Sequence, residues 1–305
     1  MQMKTSLVMT TYNGVKYLKD QLDSIKNQSL QPDEVIIVDD CSTDDTVKFL
    51  KDYIYKYSLD CWKIYINSSN QGWKKNFKIG IDKATNPLIF LADQDDIWHL
   101  NKIEKMTMTM NEDSDILLLC SNYHIFVEGK DKSPKTYFQK MNNDGKVEKI
   151  SINPKWAYIS RPGCTYCFRR SFYESIKNQW DTNYAHDAIL WRWACIYDGL
   201  FILNEPLIEF RRHGDNSTSN VKKSKLSRLN DIRCYEHYYE IAINNVKNEK
   251  DRNILLKGVK FLKLREQLLE NGRFSDWLVL LLFYRKYYYT LKGCFADLLF
   301  SKKYE

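Results

Sequence analysis

The chain has no apolar run long enough to cross a bilayer. Its longest strongly apolar stretch, residues 277–284, ends at Arg285 and Lys286, far short of the ~20 residues a spanning helix needs. No G-x-G-x-x-G follows the first apolar strand pattern, which disfavours a dinucleotide-dependent dehydrogenase. No G-x-x-x-x-G-K-[ST] occurs, which argues against a P-loop nucleotidase. Internal repeats and low-complexity tracts are missing. No leader-like run precedes Thr5, and the eight cysteines are scattered, so the expected setting is reduced and cytoplasmic. Cys164 and Cys167 have the spacing of a redox or zinc half-site, but no second C-x-x-C completes it, and a structural role is expected.

What is present describes a folded enzyme-sized chain. Of 305 residues, 44% are hydrophobic and 28% charged, a globular balance with enough length for a sizeable core. The net charge of +7 is unevenly spread: residues 222–305 carry 18 basic against 10 acidic side chains, and the remainder is near neutral. Two modules are expected, 1–220 and 221–305, with the boundary near residues 216–223. The second mixes cations with Tyr238, Phe261, Trp277, Phe283, Tyr288 and other aromatics. Such a surface suits peripheral contact with an anionic membrane, while an ordinary helical pack or a homo-oligomer interface explains it equally. Nothing resembles a nucleic-acid recognition module.

The first 120 residues alternate two periods. Strand patterns at residues 6–9, 35–38, 62–66, 88–92 and 116–120 are separated by amphipathic helical patterns at 15–28, 45–57 and 73–84. This order predicts an α/β fold with right-handed crossovers and a mostly parallel, Rossmann-like sheet flanked by helices. Residues 226–300 read as helical. Ligands of such sheets bind beyond the carboxyl ends of the strands. There the sequence places Thr10, Thr11, Tyr12 and Asn13, then Asp39 and Asp40, then Asn70 and Gly72, then Asp93, Asp95 and Asp96. Crowded carboxylates repel, so three at the end of an apolar strand suit a hard cation, Mn²⁺ or Mg²⁺, that leaves positions for phosphate oxygens. A solvated acidic turn capping the next helix is the plainer alternative. Asp39 and Asp40 suit a base N–H or a ribose hydroxyl, or simply a helix cap. Lys74 is a phosphate candidate.

Taken together, Thr10-Thr11-Tyr12-Asn13, Val38-Asp39-Asp40, Asn70-Gln71-Gly72 and Leu91-Ala92-Asp93-Gln94-Asp95-Asp96-Ile97-Trp98 resemble the inverting family-2 glycosyltransferases of GT-A fold. The last motif looks most like their bacterial rhamnosyltransferase-type branch. The resemblance implies a catalytic domain over 1–220, with a nucleotide-sugar half at 1–121 and an acceptor half at 122–220. It implies nucleobase contacts from Thr11 and Tyr12, nucleobase or ribose contacts from Asp40, and ribose contacts from Asp93. It assigns Asp95 to the metal.

The resemblance also implies that Asp187, at a helix start beside His186 where the family often has Glu, is the catalytic base. His186 itself is a weaker alternative, and a helix cap the structural one. Phe210-Arg211-Arg212-His213-Gly214-Asp215-Asn216-Ser217 resembles the family's closing segment, with Arg211 or Arg212 reaching a diphosphate and His213 completing the metal shell. The expected reaction moves a sugar, L-rhamnose from dTDP-rhamnose or a hexose from a UDP-sugar, onto a hydroxyl of a surface polysaccharide or lipid-linked glycan. Two rivals differ in class. A haloacid-type phosphohydrolase also uses Asp pairs after a strand, but Ile97 stands where it wants Thr. A non-catalytic sugar-binding module would not need the Asp93, Asp95 and Asp187 set.

Overall fold

The computed structural model describes residues 2–128, 141–213 and 224–302. The chain divides into two compact units, one of residues 1–149, 160–194 and 199–216, the other of 150–159, 195–198 and 217–305.

In the first unit, apolar β-branched runs form strands and amphipathic stretches cover them. The elements run β1 (Thr5–Thr11), α1 (Val15–Lys26), β2 (Glu34–Asp39), α2 (Thr46–Tyr57), β3 (Trp62–Ile66), α3 (Trp73–Lys83), β4 (Leu88–Ala92) and β5 (Ile97–Trp98). They continue through α4 (Lys102–Glu112), β6 (Leu118–Val127), β7 (Val147–Lys149), β8 (Tyr166–Arg169), α5 (Arg170–Ile176), α6 (His186–Ile196) and β9 (Leu200–Arg212). One sheet has the order β3-β2-β1-β4-β8-β6-β9-β5, with β7 joined to β9. The four strands β1 to β4 are mutually parallel, as are β6 and β9. The central sheet is thus mostly parallel and helix-flanked, the GT-A arrangement.

Every residue of β1, β2 and β4 is buried, as a parallel strand covered on both faces requires. Leu7, Met9, Val35, Ile37 and Phe90 share one core with Leu18 and Leu22 of α1 and Met106 of α4. Gly80 of α3 lets that helix lie close on β1: a Cβ there would stand 2.4 Å from Val8 Cγ1. Register decides what reaches the sheet edge. Thr11 is level with Asp39, Asp39 with Ile66, and Met9 with Ala92, so the polar ends of β1, β2 and β4 emerge together.

The short strands β5, β7 and β8 fall outside the sequence pattern, and the two long strands β6 and β9 depart from it. β6 continues to Val127, past the expected end at residue 120, although its last four residues are not buried. β9 is 13 residues long and runs through Glu209, Arg211 and Arg212, a segment with no plain strand signal. Pairing with β6, β5 and β7 holds it extended, and that partnership is set by tertiary neighbours rather than by propensity.

In the second unit, α7 (Lys225–Asn245), α8 (Glu249–Asn271), α9 (Phe274–Phe283) and α10 (Leu291–Ser301) pack on one another. Gly258 of α8 makes room for the Tyr239 ring of α7, which a Cβ would meet at 2.0 Å. The unit is pinned by one buried carboxylate. Asp297 accepts hydrogen bonds from Arg228 Nη1 (2.6 Å), Arg265 Nε (2.7 Å) and the Tyr288 hydroxyl (2.7 Å). Arg265 is itself buried. Removing one partner of such a pair strands the other charge, at about 3–5 kcal/mol. Asp297→Ala is therefore expected to destabilise the helical unit by that amount, read as a lowered urea midpoint; an unchanged midpoint would contradict the pinning role.

Candidate active site

The site is assembled at the carboxyl edge of the first unit. Asp39, at the end of β2, accepts from the Thr11 hydroxyl (2.8 Å), the Ser42 N–H (2.8 Å) and the Ser42 hydroxyl (2.6 Å). Asp40 accepts from Asn67 Nδ2, the Gln71 N–H and the Gly72 N–H, each at 2.8 Å. Both carboxylates are buried and engaged by the chain itself, so they organise the loops that form the edge. Gly72 sits at φ +81°, a left-handed conformation glycine adopts without a Cβ penalty. That conformation presents its N–H to Asp40 at the entrance of α3. Asn70 Oδ1 accepts from the same N–H at 3.0 Å.

The loop after β1 is knitted to the loop after β2. Asn13 donates its N–H to Ser42 Oγ (2.9 Å), and its side-chain oxygen accepts from the Thr43 N–H (2.8 Å). Thr10 is buried at the strand end, whereas the Tyr12 side chain is 45% exposed, a free ring face at the rim. Lys74 reaches across to the carbonyl of Asn183 (2.6 Å).

The turn after β4 carries the acidic cluster. Burial, then the charges of Asp96, Asp95 and Asp187, hold the Asp93 carboxyl well above the ordinary carboxylate range. Burial and the neighbouring Asp95 push Asp96 to about 7. Oxygens of Asp93 and Asp96 and the Cys164 sulfur lie within 4.8 Å of one another. Burial pushes the Cys164 thiol well up, and the carboxylate oxygens are the harder donors of the group. Apart from that thiol, Asp96 Oδ2 is buried without a hydrogen-bond donor. Asp95 Oδ2 and His213 Nε2 are 2.8 Å apart, and the His213 ring stacks on Tyr17 at 4.1 Å. Repelling, desolvated carboxylates with a histidine beside them are a donor set that fits a hard divalent cation.

Asp187 opens α6 and faces the same cluster, since its charge bears on Asp93. The adjacent residues Gly163 and Cys164 bridge the two: Cys164 adjoins Asp93 and Asp96, and a Cβ on Gly163 would meet His186 Nε2 at 2.3 Å and Asp187 Cβ at 3.3 Å. The Ala188 N–H donates to Asp187 Oδ1 at 2.7 Å. Burial raises the Asp187 carboxyl, against the pull of that N–H and of Arg192. His186 is a different object. Its ring is buried, lies 3.8 Å from Phe77, and has neither nitrogen hydrogen-bonded. Burial pushes it down to about 3. It is a neutral packing residue turned away from proton transfer.

Arg211 is enclosed rather than outstretched. Nη2 donates to Asp20 Oδ2 (2.6 Å), Nη1 to Glu128 Oε2 (2.6 Å) and Nε to the Asp95 carbonyl (2.8 Å). It thereby fixes the backbone of the acidic turn. Arg212 is buried with its guanidinium 5.7 Å from the Phe210 ring. Residues 214–217 of the closing segment lie outside the described residues.

Three contributors had no signal that sequence reading used. Gln94 accepts the Tyr12 N–H (2.9 Å) and donates to the Tyr12 carbonyl (3.1 Å), clamping the β1 loop to the acidic turn. Gln21 donates to the Asp93 carbonyl (2.9 Å). Lys102, fully buried, donates to the Cys164 carbonyl (2.6 Å) and lies 3.6 Å above the Trp98 ring. Burial pushes its ammonium down to about 7. A buried lysine four-and-more residues past an acidic turn reads in sequence only as a solvated helix residue.

Comparison with known proteins agrees with this geometry. The model of glycosyl transferase family 2 matches residues 6–177, more than half of the chain. The chain belongs to that family. The dTDP-rhamnosyl transferase RfbG of Shigella flexneri is 24% identical over 286 residues, covering 85% of this chain and 94% of that one. TarS of Staphylococcus aureus, solved with UDP-GlcNAc, superposes with a TM-score of 0.66 at 16% identity, covering 98% of this chain and 89% of that one. The mannosyltransferase PcManGT of Pyrobaculum calidifontis, solved with GDP-Man and Mn²⁺, gives 0.59 at 14% identity, covering 99% and 89%. The chain spans 66–75% of the length of the first curated relatives it matches.

The Gln94 clamp is testable. A Cβ at Gly14 would stand 2.1 Å from Gln94 Oε1, so Gly14→Ala must displace the amide and break both bonds to Tyr12, about 1–2 kcal/mol. In a Gln94→Ala background the same substitution is expected to cost almost nothing. Thermal unfolding of the double-mutant cycle checks this; additive losses would refute the clamp.

Proposed function

We propose that this glycosyltransferase works with inversion, taking a sugar from a nucleoside diphosphate donor and placing it on an acceptor hydroxyl with Asp187 as base. The observation that carries the reading is the convergence of Asp93, Asp95 and Asp96 with Asp187 on one sheet edge, each drawn from a different requirement of the chemistry. An acceptor hydroxyl attacking in line needs a carboxylate to take its proton. Asp187 suits this: it is half-buried, raised toward neutrality, and beside a histidine that stays neutral. The proton passes to the Asp187 carboxylate as the new C–O bond forms on the face opposite the departing diphosphate, which inverts the centre.

Asp95 and Asp93, with His213, would hold a Mn²⁺ or Mg²⁺. When bound, that ion neutralises charge growing on the departing nucleoside diphosphate. The chain's own residues do the positioning. Tyr12 offers a ring face for the base, with Thr10, Thr11 and Asn13 behind it. Asp39 and Asp40 shape the nucleoside pocket by fixing its loops, and Asn70, Gly72 and Lys74 line its approach. Arg211 contributes by locking the acidic turn, and Arg212 lies beside it. dTDP-L-rhamnose is the first donor choice, supported by the coverage of the relative named a dTDP-rhamnosyl transferase; a UDP-hexose is the second, supported by the fold shared with a UDP-GlcNAc complex. The acceptor is a hydroxyl of a bacterial surface polysaccharide or lipid-linked glycan.

Asp187→Asn is expected to cut transfer by roughly 10²–10⁴-fold while donor affinity, measured calorimetrically with Mn²⁺, survives; loss of donor binding instead would make Asp187 structural. Because a base acts deprotonated and the Asp187 carboxyl is raised, wild-type kcat/KM should fall on acidification through a pH above the ordinary carboxylate range. EDTA should abolish activity.

The second unit supplies a reason to place the acceptor at a lipid surface. Along α9, Phe274, Leu278 and Leu282 are exposed at four-residue intervals with Phe283 beside them; along α10, Leu291, Phe295 and Leu299 repeat the spacing. Arg273, Arg285, Lys286, Lys292 and Lys302 are exposed around them. Among the described residues no helix is long and apolar enough to cross a membrane, so this surface would lie at the interface. Co-sedimentation with anionic phosphatidylglycerol vesicles is expected, reduced by Leu282→Glu with Phe283→Glu. A dimer in vesicle-free solution that the double variant dissociates would assign the surface to self-association instead.

A further inference from the structure

A second cluster of metal-ligating side chains lies on the first unit, away from the acidic turn. His99 Nε2 stands 2.8 Å from Glu209 Oε1, and His124 Nδ1 stands 3.1 Å from the same oxygen. All three ligand atoms lie within 4.8 Å of one another. They come from three chain segments that the sheet holds in fixed register. His124 on β6 is the direct cross-strand partner of Glu209 on β9, and Ile97 of β5 is the antiparallel partner of that same Glu209. His99 follows β5 immediately. Its N–H donates to the Leu207 carbonyl (3.0 Å) and its carbonyl accepts from Gln28 Nε2 (2.8 Å). The backbone beneath each ligand is therefore set before any ion arrives.

We propose that His99, His124 and Glu209 form a Zn²⁺ site. Two imidazole nitrogens and one carboxylate oxygen are a set that zinc favours and that magnesium and calcium do not. At metal–ligand distances near 2.0–2.1 Å, ligands at tetrahedral angles lie about 3.3 Å apart. The two separations to Glu209 need to open by only a few tenths of an ångström, and the two imidazole nitrogens already lie within 4.8 Å of one another. The three side chains are 31%, 52% and 33% exposed, so the ion reaches them from solvent and water fills the fourth position. The cluster shares no residue with the donor-site set of Asp93, Asp95 and His213.

The placement also says what the ion does. β5 is two residues long and directly follows the acidic turn. A zinc bound to His99, His124 and Glu209 ties that short strand to β9 and β6, and so anchors the downstream end of the turn. This is a structural clamp, with no part in moving the sugar.

The test uses the full chain stripped of metal, with Zn²⁺ alone as probe. Calorimetry and thermal unfolding are run on wild type, His124→Ala, Glu209→Gln and Asp95→Asn, with circular dichroism confirming that each is folded. The expected result is a Zn²⁺ site, and a melting temperature raised by it, present alike in wild type and Asp95→Asn. Both should be lost in His124→Ala and Glu209→Gln. Since even an outer-shell partner is worth roughly 10–100-fold in affinity, losing a ligand should weaken Zn²⁺ binding at least that much. Zinc binding unaffected by His124→Ala and Glu209→Gln, or lost only in Asp95→Asn, would overturn the proposal.

Discussion

The architecture turns on electrostatic repulsion held in a dry place. Asp93, Asp95 and Asp96 follow the fully buried strand β4, and burial, then the neighbouring carboxylate charges, raise the carboxyls of Asp93 and Asp96. A fold does not place such a cluster without compensating it. The compensation comes from all sides: Gln21 on the Asp93 carbonyl, Arg211 on the Asp95 carbonyl, the Arg211 N–H on Asp96, and Lys102 beneath. Much of the polar bonding around the edge serves to hold these carboxylates in place.

How much of this could be read beforehand depended on whether the signal was local. β3 and β4 fall where their apolar runs begin and end, and α1, α2 and α3 end within two residues of their patterns, because each element buries its own periodic face. The gathering of Thr11, Asp39 and the acidic turn followed from parallel topology alone. What stayed hidden was recognition between loops. The Gln94–Tyr12 clamp spans 82 residues of sequence and the Asp40–Gly72 bond 32, and neither residue type advertises its partner. Arg211 misled for the same reason. In sequence it is an outstretched cation; in the fold Asp20 and Glu128 close on it.

The helical unit shows another limit of local reading. Residues 150–159 and 195–198 belong to it although they precede it by many residues. Trp156 is fully buried with its ring 5.3 Å from that of Tyr239, and Tyr158 lies near Tyr235 and Tyr289. A sequence boundary drawn from charge and period finds where helices resume, but aromatic partners claim short segments from elsewhere in the chain.

Lys102 changes what surrounds the acidic turn in one further respect. Its ammonium is sealed from solvent, so dissolved ions cannot exchange for it or screen it, as they do for exposed charges within about 10 Å at moderate salt. The turn thus has a partner in the core that answers to pH rather than to salt, since burial pushes that ammonium down to about 7. Added salt will wear down the exposed partners of the site, such as Asp20 with its half-exposed carboxylate, well before it reaches the balance between Lys102 and the carboxylates above it. The charge balance beneath the acidic turn is thus shielded from screening by added salt, and that shielding rests on a single buried lysine over Trp98.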